Sequence, residues 1–273
     1  MSKFKTCCRI AALFTGLIVN SQMTTFAETP TPQKQNTSII IAQTDESILN
    51  PAIEEKAAEI LRQMSDFIES QEQFSFSAES ERDVLTSTGV FVQVTHSGEM
   101  IVNRPNQFRS NATGDLVQRE FWYDGKQITV VDKQRNIYAT ENASANMDQA
   151  LDTLIQKLNV SMPLAELLYS DIYEGLLENV QAGFYFGMGK VEDVPCHHLV
   201  FVQEGIDWQV WIEDSETPLL RKVSIAYKNR EGVPRYTATL SDWNLKPEIA
   251  TEQFTFSPPA NAKKVEFVQA TPY

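Results

Sequence analysis

The alternation of apolar and polar residues changes its period along the chain, and each change predicts a change of secondary structure. Between Asn50 and Glu69 apolar residues recur every three to four positions, which predicts an amphipathic helix that begins at Asn50-Pro51. From Phe74 to Thr140 the period is two, and tight-turn residues interrupt it repeatedly. Because parallel strands would need long crossovers, this spacing predicts an antiparallel meander.

A helical block separates this meander from a second group of strands. Leucine spacing predicts one helix over residues 147–158 and another, opened by Pro163, over 163–178. Alternation then resumes over 183–189, 196–203, 207–213, 219–228 and 235–244, with 254–256 as a further short candidate. The order predicts an α+β, mainly β fold: a single curved antiparallel sheet, an unclosed β-barrel of about ten strands, with three helices as a lid over its concave face.

The apolar side chains of the sheet and helices are the candidate ligand-binding residues. An open curved sheet under a helical lid can keep an unfilled interior, where each buried methylene of a ligand contributes about 0.8 kcal/mol. For any single residue, an ordinary place in the packed core is the alternative. We expect a cavity lined by Phe91, Trp122, Met147, Leu151, Leu154, Leu168, Phe184, Phe186, Trp208 and Trp211.

The first 27 residues are typical of a secretory signal peptide. Lys3, Lys5 and Arg9 form a basic start, residues 10–19 are apolar, and small residues occupy the positions needed for cleavage after Ala27. Ten apolar residues are too few for a membrane-spanning helix, which needs about 20. We therefore expect export, signal cleavage and a periplasmic protein without a stable membrane anchor.

The remaining sequence predicts one folded domain with short flanking segments. Residues 28–49 are rich in Thr, Pro, Gln and Asn and predict a flexible leader. A second cleavage site after Ala42 is a weaker alternative within it. The domain is expected over residues 50–268, followed by a C-terminal tail over 269–273.

Charge and cysteine content restrict the partners of the exported chain. Cleavage after Ala27 would leave 20 basic residues against 36 acidic ones, a net charge of −16. Such a surface disfavours nucleic acid and anionic lipid headgroups as electrostatic partners. Cys196 would be the remaining cysteine, so we expect a buried, inert thiol in a monomer that its core stabilises.

Motifs of catalysis and cofactor binding are missing from the sequence. It has no Gly-x-Ser-x-Gly elbow, no phosphate-binding loop, no His-Glu-x-x-His and no dinucleotide motif. His197 and His198 are neighbours in a predicted strand and point to opposite faces, which disfavours a shared metal. We therefore predict no enzyme activity, no cofactor and no metal. A hydrolase that uses Asp207, Glu213 or His197 is the weaker alternative.

Part of the chain resembles a known family. The resemblance lies in Val-Pro-Cys-His-His-Leu-Val-Phe at 194–201, Ile-Asp-Trp-Gln-Val-Trp-Ile-Glu at 206–213 and Pro-Leu-Leu-Arg-Lys at 218–222, with weaker matches at 121–125 and 136–138. Over about residues 50–268 the chain resembles a family of uncharacterised, predicted periplasmic bacterial proteins. That family is similar to the LolA/LolB lipoprotein carriers, which implies an unclosed β-barrel with a hydrophobic cavity under helices.

Two functions follow from the predicted cavity. The first is a periplasmic carrier or chaperone that holds an acyl chain, a lipid or an acylated lipoprotein. The second is an envelope-stress or regulatory sensor that uses the same face to bind a protein partner, such as a membrane protein. Both depend on a hollow between the sheet and the helices.

Overall fold

The structure, a computed structural model, describes residues 53–267 except Asn159 and Ser161. The predicted signal peptide with its cleavage after Ala27, the leader and the tail over 269–273 lie outside the described residues. The predicted helix start at Asn50-Pro51 is wrong, because the first helix begins at Glu55, after Ile53 has formed a β-bridge with Gly183. Within the described part of the chain, no helix combines the length and apolar character that a membrane span requires.

Twelve strands and three α-helices form the described chain. The helices are α1 (Glu55–Glu69), α2 (Met147–Asp152), which a π-helical turn (Thr153–Lys157) extends, and α3 (Ile172–Leu177), with 3-10 turns at Ala165–Leu168 and Thr251–Phe254. The strands are β1 (Gln73–Leu85), β2 (Phe91–Asn103), β3 (Gln107–Gly114), β4 (Gln118–Tyr123), β5 (Gln127–Asp132), β6 (Ile137–Asn142), β7 (Val180–Val191), β8 (Val194–Gln203), β9 (Ile206–Glu213), β10 (Leu220–Tyr227), β11 (Arg235–Asn244) and β12 (Lys263–Lys264).

All twelve strands belong to one curved sheet. Their order is β12-β6-β5-β4-β3-β2-β1-β11-β10-β9-β8-β7, so β11 returns to lie beside β1. The pairs are antiparallel apart from the two-residue β12, which runs parallel to β6. Because β7 at one end does not pair with β12 at the other, the barrel is open. The predicted fold class is confirmed, with twelve strands instead of about ten.

Alternating burial along the strands gives the sheet an apolar concave face. On β9, Ile206, Trp208, Val210 and Ile212 are buried, while the residues between them are half-buried. The buried residues of α1 recur at helical spacing and join the same core. Removal of these apolar faces from water drives the helices onto the concave side of the sheet.

The predicted helix over 163–178 is wrong, because the segment breaks in the middle. The 3-10 turn ends at Leu168, and α3 begins only after Asp171, whose side chain accepts the N–H of Glu174 at 3.2 Å. Between them the backbone N–H of Ser170 donates to Asp148, on α2, at 3.0 Å. These side chains compete with helical backbone bonds and end the helix.

The short strand predicted over 254–256 is also wrong. Phe254 closes a 3-10 turn and is buried. The C-terminal strand lies further on, as β12 beside β6. The intervening segment lies on the convex face, where Phe256 packs against Trp122 and Tyr138 at ring-centroid distances of 6.0 and 5.2 Å.

Candidate functional site

The ten residues predicted to line a cavity occupy three environments. Five are at most 3% exposed and belong to the packed core: Met147, Leu151, Leu154, Leu168 and Trp208. Two tryptophans lie on the convex face, and three phenylalanines are exposed there or at strand ends. Contact of any of the ten with a ligand stays a prediction.

Trp122 lies on the convex face because it alternates with Phe121 and Tyr123, which belong to the core. Its ring lies 4.0 Å from the guanidinium of Arg109, which is its partner in the β3–β4 register. The indole N–H donates to Glu120 at 3.2 Å. Trp122 therefore serves to bury part of the convex face beneath the C-terminal segment.

An aromatic row on β7, β8 and β9 holds Trp211 and Phe186. Trp211 stacks on His198 with ring centroids 4.1 Å apart, and Phe186 packs edge-on against the same imidazole with a centroid distance of 4.9 Å. Phe186 is 74% exposed and Phe184 is also exposed. Phe91 is exposed at the start of β2, where its ring contacts Gly232.

A hollow of about 370 Å³ lies on the concave face over β1 to β4. Its apolar lining comes from β1, β2 and β4 and from the segment before the 3-10 turn at 165–168. That lining includes Phe76, Met100, Phe121, Met162 and Leu164. At its mouth Leu116 is 52% exposed.

The hollow exists because small residues meet across three strands. Ala78 pairs with Gly98, and Gly98 pairs with Ala112, so one row of the concave face carries almost no side chain. A Cβ on Gly98 would overlap the backbone oxygen of Asn111, so the strands approach too closely there for any larger residue. The space between this row and the segment over 162–164 therefore stays open as the hollow.

The same strands carry polar side chains beside and beyond the small row. Along β1 the concave face reads Phe74, Phe76, Ala78, Ser80, Arg82. His96 on β2, the register partner of Ser80, and Arg119 on β4, the register partner of Ala112, also line the hollow. The hollow therefore has an apolar end at Phe76, Met100 and Phe121, and its basic side chains begin at the small row itself. The sequence analysis did not identify these residues, although the series along β1 carries the signal.

A smaller void of about 50 Å³ lies between the lid and β9, β10 and β11. It shares Pro163, Leu164 and Tyr236 with the larger hollow, and Trp208 borders it. Leu164 has a φ of 65°, a left-handed conformation that is costly for a branched residue. The surrounding structure thus holds the Leu164 side chain at the boundary between the two spaces.

A third space, of about 410 Å³, lies toward the convex face. Polar residues dominate its lining, among them Ser75, Ser77, Asn111, Asp242 and Asn244. An acyl chain would bury little apolar surface against such groups. The concave hollow is therefore the candidate site.

The candidate catalytic residues do not converge. Asp207 and Glu213 lie at opposite ends of β9, about 20 Å apart at strand rise. Asp207 pairs with Lys228 at 2.6 Å and Glu213 with Arg221 at 2.9 Å. These carboxylates therefore do not form an acid–base pair with each other.

The histidines and the thiol of β8 make local contacts. His197 lies 3.2 Å from the hydroxyl of Tyr185 and 3.1 Å from Asp214. The buried thiol of Cys196 donates to the carbonyl of Val194 at 3.4 Å, and burial raises its pKa, which keeps it protonated. Across residues 53–267, no group of three His, Cys, Asp or Glu side chains is placed to hold a metal.

Solved structures with a similar architecture come from several bacteria. An uncharacterized conserved protein from Thermus thermophilus has 10% identity, a TM-score of 0.47, and coverage of 78% of this chain and 99% of that one. The lipoprotein LppX of Mycobacterium tuberculosis has 15% identity and a TM-score of 0.45, and the match covers 71% of this chain and 98% of LppX. A LolA superfamily protein from Nitrosomonas europaea has 11% identity and a TM-score of 0.35, and the match covers 73% of this chain and 97% of that protein. Likenesses at this level carry no argument about ligand or activity.

Comparison with functionally curated proteins gives no match. A family model described as a predicted periplasmic protein, DUF2092, matches residues 57–268. This match confirms the family that the sequence resembles, and its description agrees with the periplasmic location predicted from the N-terminal residues. The chain belongs to the DUF2092 family of predicted periplasmic proteins.

Proposed function

We propose that this protein binds the acyl chain of a lipid or an acylated lipoprotein in the concave hollow and serves as a periplasmic carrier or chaperone. One observation carries the proposal: a partly open hollow of about 370 Å³, which no side chain of the described residues fills, lies above a row of small residues. Binding cavities for small molecules commonly measure about 300–1,000 Å³. The hollow thus has room for part of an acyl chain.

The lining suits an irregular apolar ligand. Met100 and Met162 are flexible and polarisable, so they can adapt to different chain shapes. Each methylene that leaves water contributes about 0.8 kcal/mol, so four buried methylenes contribute about 3 kcal/mol, or roughly a hundredfold in affinity. The exposed Leu116 at the mouth extends this apolar path to the surface.

The test places a large side chain in the hollow, at a position on the sheet that lines it. In Ala112→Trp, the indole occupies the space where an acyl chain would lie, because Ala112 lines the hollow. Thr113→Trp is the matched control, because Thr113 is the next residue of β3, is exposed and points to the opposite face. Delipidated proteins are titrated with a fluorescent fatty-acyl probe, and circular dichroism verifies the fold.

We expect Ala112→Trp to weaken probe binding about fiftyfold, since displacement of three methylenes costs about 2.4 kcal/mol. Thr113→Trp should bind like the wild type. Native mass spectrometry of protein from the cell envelope should also show co-purifying acyl species. Wild-type protein that is reproducibly empty and takes up no probe contradicts the proposal.

A photo-reactive residue at Leu116 separates carriage from sensing. Because this side chain is exposed at the mouth of the hollow, it lies where cargo enters. Cross-links in cells to many acylated lipoproteins support a carrier. A single stable cross-link to one membrane protein would instead support the sensor.

A further inference from the structure

Two arginines and one histidine line the hollow near one another. Arg82, His96 and Arg119 come from β1, β2 and β4, and all three line it. Ser80 is the register partner of His96, which places Arg82 one concave-face position beyond it. Opposite His96 on β3 is Gly114, where a Cβ would lie only 2.9 Å from the imidazole ring. A Cβ there would also lie 2.1 Å from the backbone oxygen of Thr95, so the close approach of β2 and β3 allows only glycine beside His96.

The charges in this cluster act on one another. After burial, the largest cause that lowers the pKa of Arg82 is another cation, Arg119. Arg82 in turn lowers the pKa of His96, again after burial. The buried Nε2 of His96 makes no hydrogen bond to any residue that the structure describes. The guanidinium groups of Arg82 and Arg119 are like charges in a half-buried place, and this arrangement favours the binding of an anion between them.

Neighbouring carboxylates lie outside the arginine pair. Asp132 binds Arg135 at 2.7 Å, at the rim of the hollow. Asp115 accepts the backbone N–H of Thr95 at 2.8 Å, and its charge acts on His96, where it raises the pKa against the larger effects of burial and Arg82. Glu99 accepts a hydrogen bond from Asn111 across the β2–β3 pair at 3.4 Å. In a chain with a formal net charge of −13, a cationic cluster beside an apolar hollow departs from the general charge pattern.

We propose that Arg82 and Arg119, with His96 beside them, bind the anionic headgroup of an amphiphile whose acyl chain occupies the apolar end of the hollow. This inference rests on the proposed function and specifies its ligand class: a single acyl chain next to a phosphate or a carboxylate. Arg guanidinium groups suit both headgroups because they donate paired N–H bonds to two oxygens. The small row lies between Phe76 and Met100 on one side and Ser80 and His96 on the other, so it leaves room for the chain to pass toward Arg82 and Arg119.

The experiment compares probes that share one chain and differ in headgroup. Binding of hexadecyl phosphate, palmitate and hexadecanol to the delipidated full-length mature protein is measured at neutral pH and low salt, below the concentrations at which they form micelles. We expect at least one anion to bind about tenfold or more tightly than hexadecanol, since hydrogen bonds to charged groups are worth about 1.5–3 kcal/mol. The anionic probe whose affinity exceeds that of hexadecanol by the larger factor identifies the preferred headgroup.

Variants assign the preference to the cluster. In Arg82→Gln/Arg119→Gln the ratio of anion to alcohol affinity should fall close to one, whereas Arg82→Lys/Arg119→Lys should keep most of it. Arg109→Gln is the control for loss of one charge, because Arg109 lies on the convex face against Glu120 and Trp122. Its ratio should equal that of the wild type.

The outcomes separate the two proposals. Binding of all three probes with equal affinity overturns the headgroup site and leaves the acyl cavity standing. Absence of binding by every probe contradicts the proposed function itself. A preference that survives in the double glutamine variant overturns the assignment to Arg82 and Arg119. If that variant does not fold, the wild-type ratio and the lysine pair decide.

Discussion

Replacement of Leu154 by alanine tests whether the helical segments are solid core or the wall of a ligand site. Leu154 lies in the π-helical turn after α2 and is 0% exposed. It belongs to the main apolar cluster, which joins the helices to the sheet. If its surroundings are as closely packed as this burial indicates, truncation must leave a void.

The size of the effect follows from that burial. Leu→Ala changes in packed cores cost about 2–5 kcal/mol, the sum of lost transfer free energy and the void that remains. We expect about 3 kcal/mol for Leu154→Ala, which corresponds to a fall in Tm of about 6–12 °C for a domain of this size. Urea unfolding followed by circular dichroism should show a lower midpoint with an unchanged m-value.

Leu116→Ala is the matched comparison, because it removes the same atoms from a side chain that is 52% exposed at the mouth of the hollow. We expect it to change the free energy of unfolding by less than about 0.5 kcal/mol. A cost below about 1 kcal/mol for Leu154→Ala would refute the reasoning, since the lid would then not be packed against the sheet. Equal losses of unfolding free energy in Leu154→Ala and Leu116→Ala would also refute it.

Three further predictions concern single side chains. Because burial raises the pKa of the Cys196 thiol, native protein should react with iodoacetamide far more slowly than protein unfolded in urea. Burial also lowers the pKa of His96, so the folded state binds fewer protons, and the free energy of unfolding should fall as the pH drops through about 6.5. Urea titrations above and below that pH should show that the free energy of unfolding falls less in His96→Gln than in the wild type. Phe186→Ser should change stability by less than about 0.5 kcal/mol, because the ring is 74% exposed; a change above 1 kcal/mol would mean that the ring is buried in solution.

Local periodicity was sufficient to predict the class of fold. A period of two along β1 and β9, and helical spacing along α1, are properties of neighbouring residues, and the backbone geometry of strand and helix converts them directly into faces. Tight turns between short strands likewise indicated antiparallel pairing. The break between Leu168 and α3 was not predicted. The cap that Asp171 provides for Glu174 is a local signal, but the bond from Ser170 to Asp148 joins residues that are distant in sequence.

The candidate site depended on tertiary structure for a different reason. Periodicity separates Phe121 from Trp122, but only the curvature and cover of the sheet decide which of them lies on the concave face. Likewise, Leu154 has the same apolar character whether it packs in a core or lines a hollow.

The sequence by itself determined the mainly β fold, its helical lid and the family, because those follow from short-range patterns. Tertiary structure alone placed Ala78, Gly98 and Ala112 in one row and Arg82 beside His96 and Arg119, because these residues meet through strand register. A hollow is the space that side chains leave when they come together, so its position depends on the register and curvature of several strands at once.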